Sequence, residues 1–157
     1  MDRYVRPSIE SDVAFIADHM RVEDVEEVRA AGSDPLNSLT FGLHHSKPCL
    51  TLLNGAGTPI AMCGVAPGAY PNSGAIWLLG TQGIEDSSIT FLRYSKQALE
   101  LMFDQSGAEF TYNYTYAENH LHHRWLKWLG FTFLRRVSLG PEGKPFYEFI
   151  KLGVNDV

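Results

Sequence analysis

The stretch NHLHHRWLKWLGF, residues 119–131, predicts how the C-terminal half of the chain is built. Asn119 is a residue type that caps helix N-termini, and Gly130 is one that ends helices in the left-handed conformation. The apolar residues between them recur at helical spacing: Leu121, Trp125, Trp128 and Leu129. The stretch therefore predicts a helix of about ten residues, after which Phe131 begins a strand.

Segments with the pattern of strands lie on both sides of this helix. From Glu109 to Ala117, aromatic residues alternate with Thr and Asn, and this period of two is typical of a strand. After the helix, Phe131 to Leu139 and Pro145 to Leu152 flank the turn sequence GPEG at 140–143. These residues predict a terminal hairpin.

The middle of the chain has no charged residue between Pro48 and Ile84. Short apolar runs at Cys49 to Asn54, Pro59 to Ala66 and Ala75 to Thr81 are separated by Gly, Pro and Asn. This pattern predicts three strands of a sheet that is covered on both faces. The period then becomes helical, and a helix of about four turns is expected from Ser87 to Gln105.

The N-terminal third predicts a short strand, Arg3 to Arg6, and a helix capped by Ser8. Asp34 followed by Pro35 predicts the start of a third helix that runs to His44. Between them lies a second predicted helix, from Val22 to Ala31, with Gly32 as its stop. We expect its valines, Val22, Val25 and Val28, to face inward. Its acidic residues are expected to form a solvated face: Glu23, Asp24, Glu26 and Glu27.

Composition narrows the classes of function. The 157 residues are 45% hydrophobic and 20% charged, which is typical of one globular domain, residues 1–157. A formal net charge of −5 argues against nucleic-acid and anionic-membrane partners. The two cysteines have no metal-binding or disulfide spacing, and no metal site is expected from the histidines. Without a signal-like or membrane-spanning segment, we expect a protein that is cytosolic or packaged and is not exported.

The predicted order of elements resembles the GNAT fold of acyl-CoA N-acyltransferases. That order is one strand, two or three helices, three strands, a helix, a strand, a helix and two strands. The late motif of that superfamily is similar to the segment from Asn119 to Leu129-Gly130-Phe131. The resemblance implies an α/β (α+β) domain with a mixed central sheet of about six to seven strands flanked by helices. It narrows to GNAT-like proteins of short-tailed bacteriophages, related to small internal virion proteins. The residues behind this are 17–21 (ADHMR), Val28, 30–32 (AAG), 77–81 (WLLGT) and 124–127 (RWLK).

The resemblance also implies a cofactor site. In the GNAT mechanism, the strands at Ala75–Thr81 and Phe110–Tyr116 diverge, and the pantetheine arm of acetyl-CoA uses their free backbone groups. A backbone amide near Leu79 to Thr81 would hold the thioester carbonyl, and the pyrophosphate would lie at the start of the following helix. Cofactor contacts are thus implied for Leu79, Gly80, Thr81, Gln82, Gly83, Ser87, Ser88 and Asn119.

Two positions depart from the family pattern. The phosphate loop lacks its second glycine and carries Glu85 and Asp86, whose charges repel phosphate. Capping of the next helix is the competing interpretation of Asp86 and Ser87.

The tyrosine that protonates the thiolate in many GNAT enzymes is replaced by Leu126. A general acid would have to be Tyr114, Tyr116 or His122. Ordinary packing is the alternative for the tyrosines, and a surface position is the alternative for the histidine.

Two functions are compatible with these residues. One is an acetyl-CoA-dependent N-acyltransferase that transfers an acyl group to an amine-bearing substrate by direct attack. The other is a non-catalytic phage protein with the same fold, acting as an internal virion component or as a host-protein binder.

Overall fold

The computed structural model describes residues 4–153. Its strands are β1 Val5–Pro7, β2 Cys49–Leu53, β3 Pro59–Pro67, β4 Ser73–Gly80, β5 Phe110–Tyr116, β6 Thr132–Leu139 and β7 Lys144–Leu152. Its helices are α1 Glu10–Asp18, α2 Val22–Ala30, α3 Pro35–His45, α4 Gly83–Asp86, α5 Ser88–Ser106 and α6 His120–Trp128. The predicted mixed α/β fold is confirmed, and the short helix α4 is the element that the sequence did not predict. None of the described helices combines the length and the apolar character that a membrane crossing requires.

One seven-stranded sheet organises the fold, in the order β1-β2-β3-β4-β5-β7-β6. All neighbouring strands are antiparallel except β4 and β5, which run parallel. One cluster of buried apolar side chains joins α5 and α6 to one face, and a second joins α1, α2 and α3 to the other. Strand β3 contributes Cys63 to the first cluster and Met62 to the second, so the uncharged middle of the chain is covered on both faces.

Strands β4 and β5 separate soon after they meet. They pair only where Ser73, Gly74 and Ala75 lie beside Phe110, Thr111 and Tyr112. Past that point, the Asn113 side chain spans the gap and donates from Nδ2 to the Ile76 carbonyl at 2.8 Å. The strands thus diverge as the resemblance implied, and both have cleft-facing backbone groups beyond this bridge.

Several predicted ends and faces in the N-terminal third are wrong. The first strand is Val5–Pro7, and Arg3 lies outside the described residues. Helix α1 is capped at Ile9, whose N–H donates to Asp12 Oδ2 at 2.9 Å, because the Ser8 hydroxyl is hydrogen-bonded to Thr51 instead. Asp34 does cap α3, accepting from the Asn37 N–H at 2.9 Å.

Helix α2 is rotated from the predicted orientation only in part, since Val25 and Val28 do face the core as predicted. Val22 is 67% exposed, whereas Asp24 and Glu27 are 2% and 8% exposed. The expected solvated acidic face is therefore wrong for these two residues, although Glu23 and Glu26 do face solvent. The cause of the rotation lies in the cleft described below.

The turn between β6 and β7 holds the C-terminal end of α2 in place. Gly140 has φ of +79°, and a Cβ there would collide with the Ala30 carbonyl oxygen. Gly143, in the same turn, also has positive φ, +62°, but a Cβ there would meet open space. Substitution of Gly143 would therefore test backbone strain alone, whereas substitution of Gly140 would test strain together with a steric collision.

We expect Gly140→Ala to lower the free energy of unfolding by more than about 2 kcal/mol, because it adds a steric collision with α2 to the left-handed strain. Gly143→Ala, which has the strain alone, should cost about 1 kcal/mol. Urea unfolding of both variants measures the difference. Equal losses would show that the turn does not pack on α2 as described.

Candidate functional site

Two cavities meet where β4 and β5 diverge. The central cavity, of about 400 Å³, is lined by residues of α2, β4, β5 and β7, among them Glu27, Leu78, Tyr114 and Phe146. The helix-side cavity, of about 370 Å³, lies between α5 and α6 and reaches Arg21 and Asp24. Leu78, His122 and Trp125 line both. Their volumes are in the range of small-molecule sites, so the region is the candidate functional site.

Successive backbone N–H groups of a strand point to opposite sides of it, and one side of β4 and of β5 faces the gap. Four amides point into the gap in this way: Leu78 and Gly80 of β4, and Tyr114 and Tyr116 of β5. Buried amides without acceptors are costly, so each of them requires a partner. The Tyr114 amide donates to the Asn113 side chain at 2.8 Å. The carboxylates of α2 provide acceptors for two of the other three.

Asp24 accepts hydrogen bonds from three sides. The Gly80 N–H donates to Oδ2 at 2.9 Å, and Oδ1 accepts from Arg21 Nη1 at 2.7 Å and from Asn119 Nδ2 at 2.9 Å. Arg21 is itself 5% exposed, so the pair is buried; burial raises the pKa of Asp24 against the opposing effect of Arg21, and Arg21 Nε has no hydrogen-bond partner among the described residues. Asp24 thereby fixes helix α2 to the edge of β4.

Glu27 makes the matching contact to β5. Its Oε1 accepts from the Tyr116 N–H at 2.7 Å and from the Thr115 hydroxyl at 3.0 Å. His122 Nδ1 lies 3.7 Å from Oε2. Burial opposes ionisation of both groups, but their mutual interaction outweighs it, so the pKa of Glu27 lies below its ordinary value and that of His122 above it.

Asn119 links the two carboxylates and does not cap its helix. Its side chain makes no capping hydrogen bond; Nδ2 donates to Asp24 and, at 3.4 Å, to Glu27, and Oδ1 accepts from Arg21 at 3.1 Å. The predicted capping role is therefore wrong, because the side chain is fully buried among charged partners. We name the set Arg21, Asp24, Glu27, Asn119 and His122 the α2 clasp.

The edge of β4 is also covered by backbone from the α1–α2 connection. Met20 and Thr81 form an antiparallel bridge, and the Arg21 N–H donates to the Gly80 carbonyl at 3.0 Å. Both backbone groups of Gly80 are therefore used. The Thr81 amide donates to Ile60 at 2.9 Å within the sheet, and Leu79 faces β3 in the same ladder. Within residues 4–153, Leu78 is the cleft-facing position whose amide has no side-chain partner.

The predicted phosphate loop is closed on itself. The amides of Ile84, Glu85 and Ser87 donate to carbonyls of residues 81–83, and the Gly83 amide donates to the Thr81 hydroxyl at 3.0 Å. These bonds form α4, whose first residue follows Gln82. Ser87 makes no side-chain cap to α5, and Asp86 is the last residue of α4, so the competing capping interpretation is wrong.

The three candidate general acids are separated by the structure. His122 is buried in the clasp, so a surface position is wrong for it. Tyr114 lines the central cavity, and its hydroxyl donates to Glu148 at 3.2 Å; burial and this carboxylate raise the pKa of Tyr114. The Tyr116 ring packs on Phe146 at 5.5 Å. Leu126 is buried in the core. The catalytic assignment of these residues stays a prediction.

Sequence reasoning missed Arg21, Asp24 and Glu27 as site residues. Their spacing of three carried a signal, since residues 21, 24 and 27 lie on neighbouring positions of one helical face. Acidic residues on a helix usually face solvent, and the sequence alone could not show which amides they would meet. No group of histidine, cysteine and carboxylate side chains within residues 4–153 is arranged to hold a metal ion.

No protein-family model and no curated protein sequence matches the chain. Similar solved structures are acetyltransferases. Spermidine N-acetyltransferase from Vibrio cholerae, in complex with CoA and spermine, aligns over 95% of this chain and 94% of its own at 10% identity and a TM-score of 0.71. A GNAT-family acetyltransferase from Bacillus anthracis aligns over 97% and 96% at 12% identity and 0.70. Ribosomal-protein-S5-alanine acetyltransferase from Vibrio fischeri aligns over 98% and 94% at 14% identity and 0.66.

The first prediction from this site concerns Asp24. We expect Asp24→Asn to lower the free energy of unfolding by about 3 kcal/mol, because an amide cannot accept from all three donors and leaves Arg21 buried without its carboxylate. Glu26→Gln, on the exposed side of the same helix, should change it by less than about 0.5 kcal/mol. Chemical denaturation measures both. If Asp24→Asn changed the free energy of unfolding as little as Glu26→Gln does, the burial of the clasp would be contradicted.

The second prediction concerns pH. Because the folded pKa of His122 is raised, the stability from its charged form is present below the unfolded pKa and is lost as pH rises through the folded pKa. His122→Gln should therefore cost more stability at pH 5.5 than at pH 8.5. Burial lowers the pKa of His123, and the charge of the neighbouring His122 lowers it further. Melting curves of both proteins at the two pH values measure this; a cost independent of pH would contradict it.

These likenesses establish the fold of the molecule. The chain has the fold of GNAT acetyltransferases, and its α2 clasp bonds the amides of Gly80 and Tyr116 where β4 and β5 diverge.

Proposed function

We propose that this chain is a non-catalytic, protein-binding member of the GNAT fold and not an acyl-CoA-dependent enzyme. The observation that supports this is the double hydrogen bonding of the cleft: Asp24 takes the Gly80 amide and Glu27 takes the Tyr116 amide. The protein's own side chains thus satisfy backbone groups that a cofactor arm would need.

The residues present do not fit acetyl-CoA. A pantetheine arm would pair with the edge of β4, where Met20 and Arg21 already pair with Gly80 and Thr81. To make room for it, a buried Arg–Asp pair would have to break, and separating one buried charge from its partner costs about 3–5 kcal/mol.

The phosphate end fits no better. The loop amides of Ile84, Glu85 and Ser87 are bonded within α4, and Glu85 lies beside them, 4.0 Å from Arg21. A carboxylate there repels phosphate oxygens, and most of the charge of Arg21 is neutralised by Asp24 at 2.7 Å.

Acyl transfer to an amine is the second candidate. The Leu78 amide faces the central cavity, where it could stabilise a developing oxyanion, and Tyr114 lies at the same cavity. The structural neighbours include enzymes named for spermidine and for a ribosomal protein. This function would require α2 to leave the cleft before a cofactor entered.

The setting that we propose is a short-tailed bacteriophage, on the resemblance of residues 17–21 and 124–131 to phage proteins of this fold. The protein would act inside the virion or in the host cytoplasm, with a virion or host protein as its partner. Quantitative mass spectrometry of purified particles and assembly intermediates tests this. Absence from both, together with no host protein bound, would contradict a structural or host-binding role.

Acetyl-CoA binding separates the two functions. We expect about 1 mM acetyl-CoA to leave the melting temperature unchanged within about 1 °C, because the cleft is already bonded. A saturable rise of several degrees, or acetylation of spermidine or of an N-terminal alanine peptide, would contradict the proposal and favour the enzyme. Asp24→Asn provides a control, because it weakens the clasp. If any variant gains a rise in melting temperature with acetyl-CoA, we expect this one to do so.

A further inference from the structure

A third cavity lies where helix α6 packs on the terminal hairpin. It has a volume of about 420 Å³. Within residues 4–153, none of its lining residues lines either cavity of the cleft. We name it the hairpin groove, and the residues that matter for its chemistry are His120, His123 and Lys127 of α6 and Phe133, Arg136 and Tyr147 of the hairpin. Neither the clasp nor the proposed function uses this groove.

Aromatic rings form one wall of the hairpin groove. The His123 ring meets Phe133 and Tyr147 edge-on, with 5.5 Å between the ring centroids in each pair. His123 is fixed in this position by a hydrogen bond of 2.8 Å between Nε2 and the Tyr116 carbonyl oxygen. The Lys127 ammonium lies over the Phe133 ring, 5.3 Å from its centroid. The groove therefore combines an aromatic surface with a cation placed directly above it.

A β-bulge places a second cation on the same face of the hairpin. Phe133 of β6 pairs with Phe149 of β7. Three residues later, Arg136 pairs with Tyr147, only two positions from Phe149, so β6 has one extra residue. Directly paired residues share a face of the sheet, and so do residues two apart in one strand. In a regular strand, positions 133 and 136 would face opposite sides. The bulge thus redirects Arg136 to the face of Phe133 and Tyr147.

The two cations of the groove are not neutralised by carboxylates. No aspartate or glutamate lines the groove, and within residues 4–153 none forms an ion pair with Lys127 or Arg136. Arg135, by contrast, donates from Nε to Glu148 at 3.0 Å. In a chain with a net charge of −5, two unpaired cations at one groove form a locally positive site.

The charge and the shape of the groove select a class of ligand. Two unpaired cations match a dianion better than a carboxylate, which carries a single charge. A phosphate monoester is close to a dianion at neutral pH. The groove is also larger than a phosphate group alone, and its ring faces offer contact area to an aromatic group that carries the phosphate.

We propose that the hairpin groove binds a phosphate monoester joined to an aromatic group, with Lys127 and Arg136 holding the phosphate and the rings of Phe133 and Tyr147 contacting the aromatic part. A small nucleotide and a phosphotyrosine side chain share this chemistry. The competing explanation is that Lys127 and Arg136 are ordinary solvated surface cations.

Phenyl phosphate is the probe that tests this site. It is titrated into the ¹⁵N-labelled full chain at pH 7.5 in about 150 mM NaCl, where weak non-specific attraction is screened. We expect saturable shifts of the amides around residues 127–136. Lys127→Ala and Arg136→Ala should each weaken binding about tenfold, because each removes one charged hydrogen-bond donor.

Arg135→Ala is the matched control. It removes the same charge from the adjacent position, but its guanidinium is bonded to Glu148, so binding should change by less than about twofold. Lys127, Arg135 and Arg136 are all exposed, so we expect the three variants to fold, and their melting temperatures check this.

Each outcome decides for or against the site. The absence of saturable shifts, or equal weakening by Arg135→Ala and Arg136→Ala, would overturn the site in favour of solvated surface cations. Benzoate that binds as tightly as phenyl phosphate would overturn the dianion. Tighter binding of AMP would support a nucleotide source, and tighter binding of acetylated phosphotyrosine amide would support a protein source.

The same spectra keep this site separate from the proposed function. Shifts of the Gly80 and Tyr116 amides on addition of acetyl-CoA would contradict the non-catalytic function and leave the hairpin groove standing. Failure of phenyl phosphate to bind would overturn the groove and leave that function standing.

Discussion

The divergence of β4 and β5 past Ala75 and Tyr112 is the constraint on which the rest of the molecule depends. It opens the middle of a buried sheet, and every amide on the two facing edges then needs an acceptor where water has little access. In enzymes that use such a gap, a ligand can provide some of these bonds. Here Asn113, Asp24 and Glu27 provide acceptors for three of the four amides, those of Tyr114, Gly80 and Tyr116, without a ligand.

These hydrogen bonds place charged side chains in the interior, and each of those side chains needs a buried partner. Asp24 is accompanied by Arg21, Glu27 by His122, and Asn119 donates to both carboxylates. A buried pair of this kind adds little net stability over apolar packing, but it permits one arrangement of α2 and penalises others. The clasp therefore acts on specificity: it fixes the rotation of a short helix whose apolar residues alone would allow another face inward, since Val22 is exposed.

The fold could be predicted because its signals are local. Alternating aromatics predicted β5, the uncharged middle predicted β2 to β4, and Asn119 to Gly130 predicted α6. The site could not be predicted to the same extent, because its bonds join distant segments. Nothing in the local pattern of residues 22–30 distinguishes Asp24, which meets the Gly80 amide, from Glu26, which meets water. The same is true of Asn119, whose capping preference is real but is outweighed by three buried charged partners.

The separation of the clasp residues along the chain bears on how the protein is made. The bond from Arg21 to Asn119 spans 98 residues, and that from Asn119 to Asp24 spans 95. During translation, α2 leaves the ribosome with Arg21 beside Asp24, but long before Asn119 and His122 have been synthesised. Completion of the clasp is then a late event, which brings the two halves of the chain together after most of the chain has been synthesised.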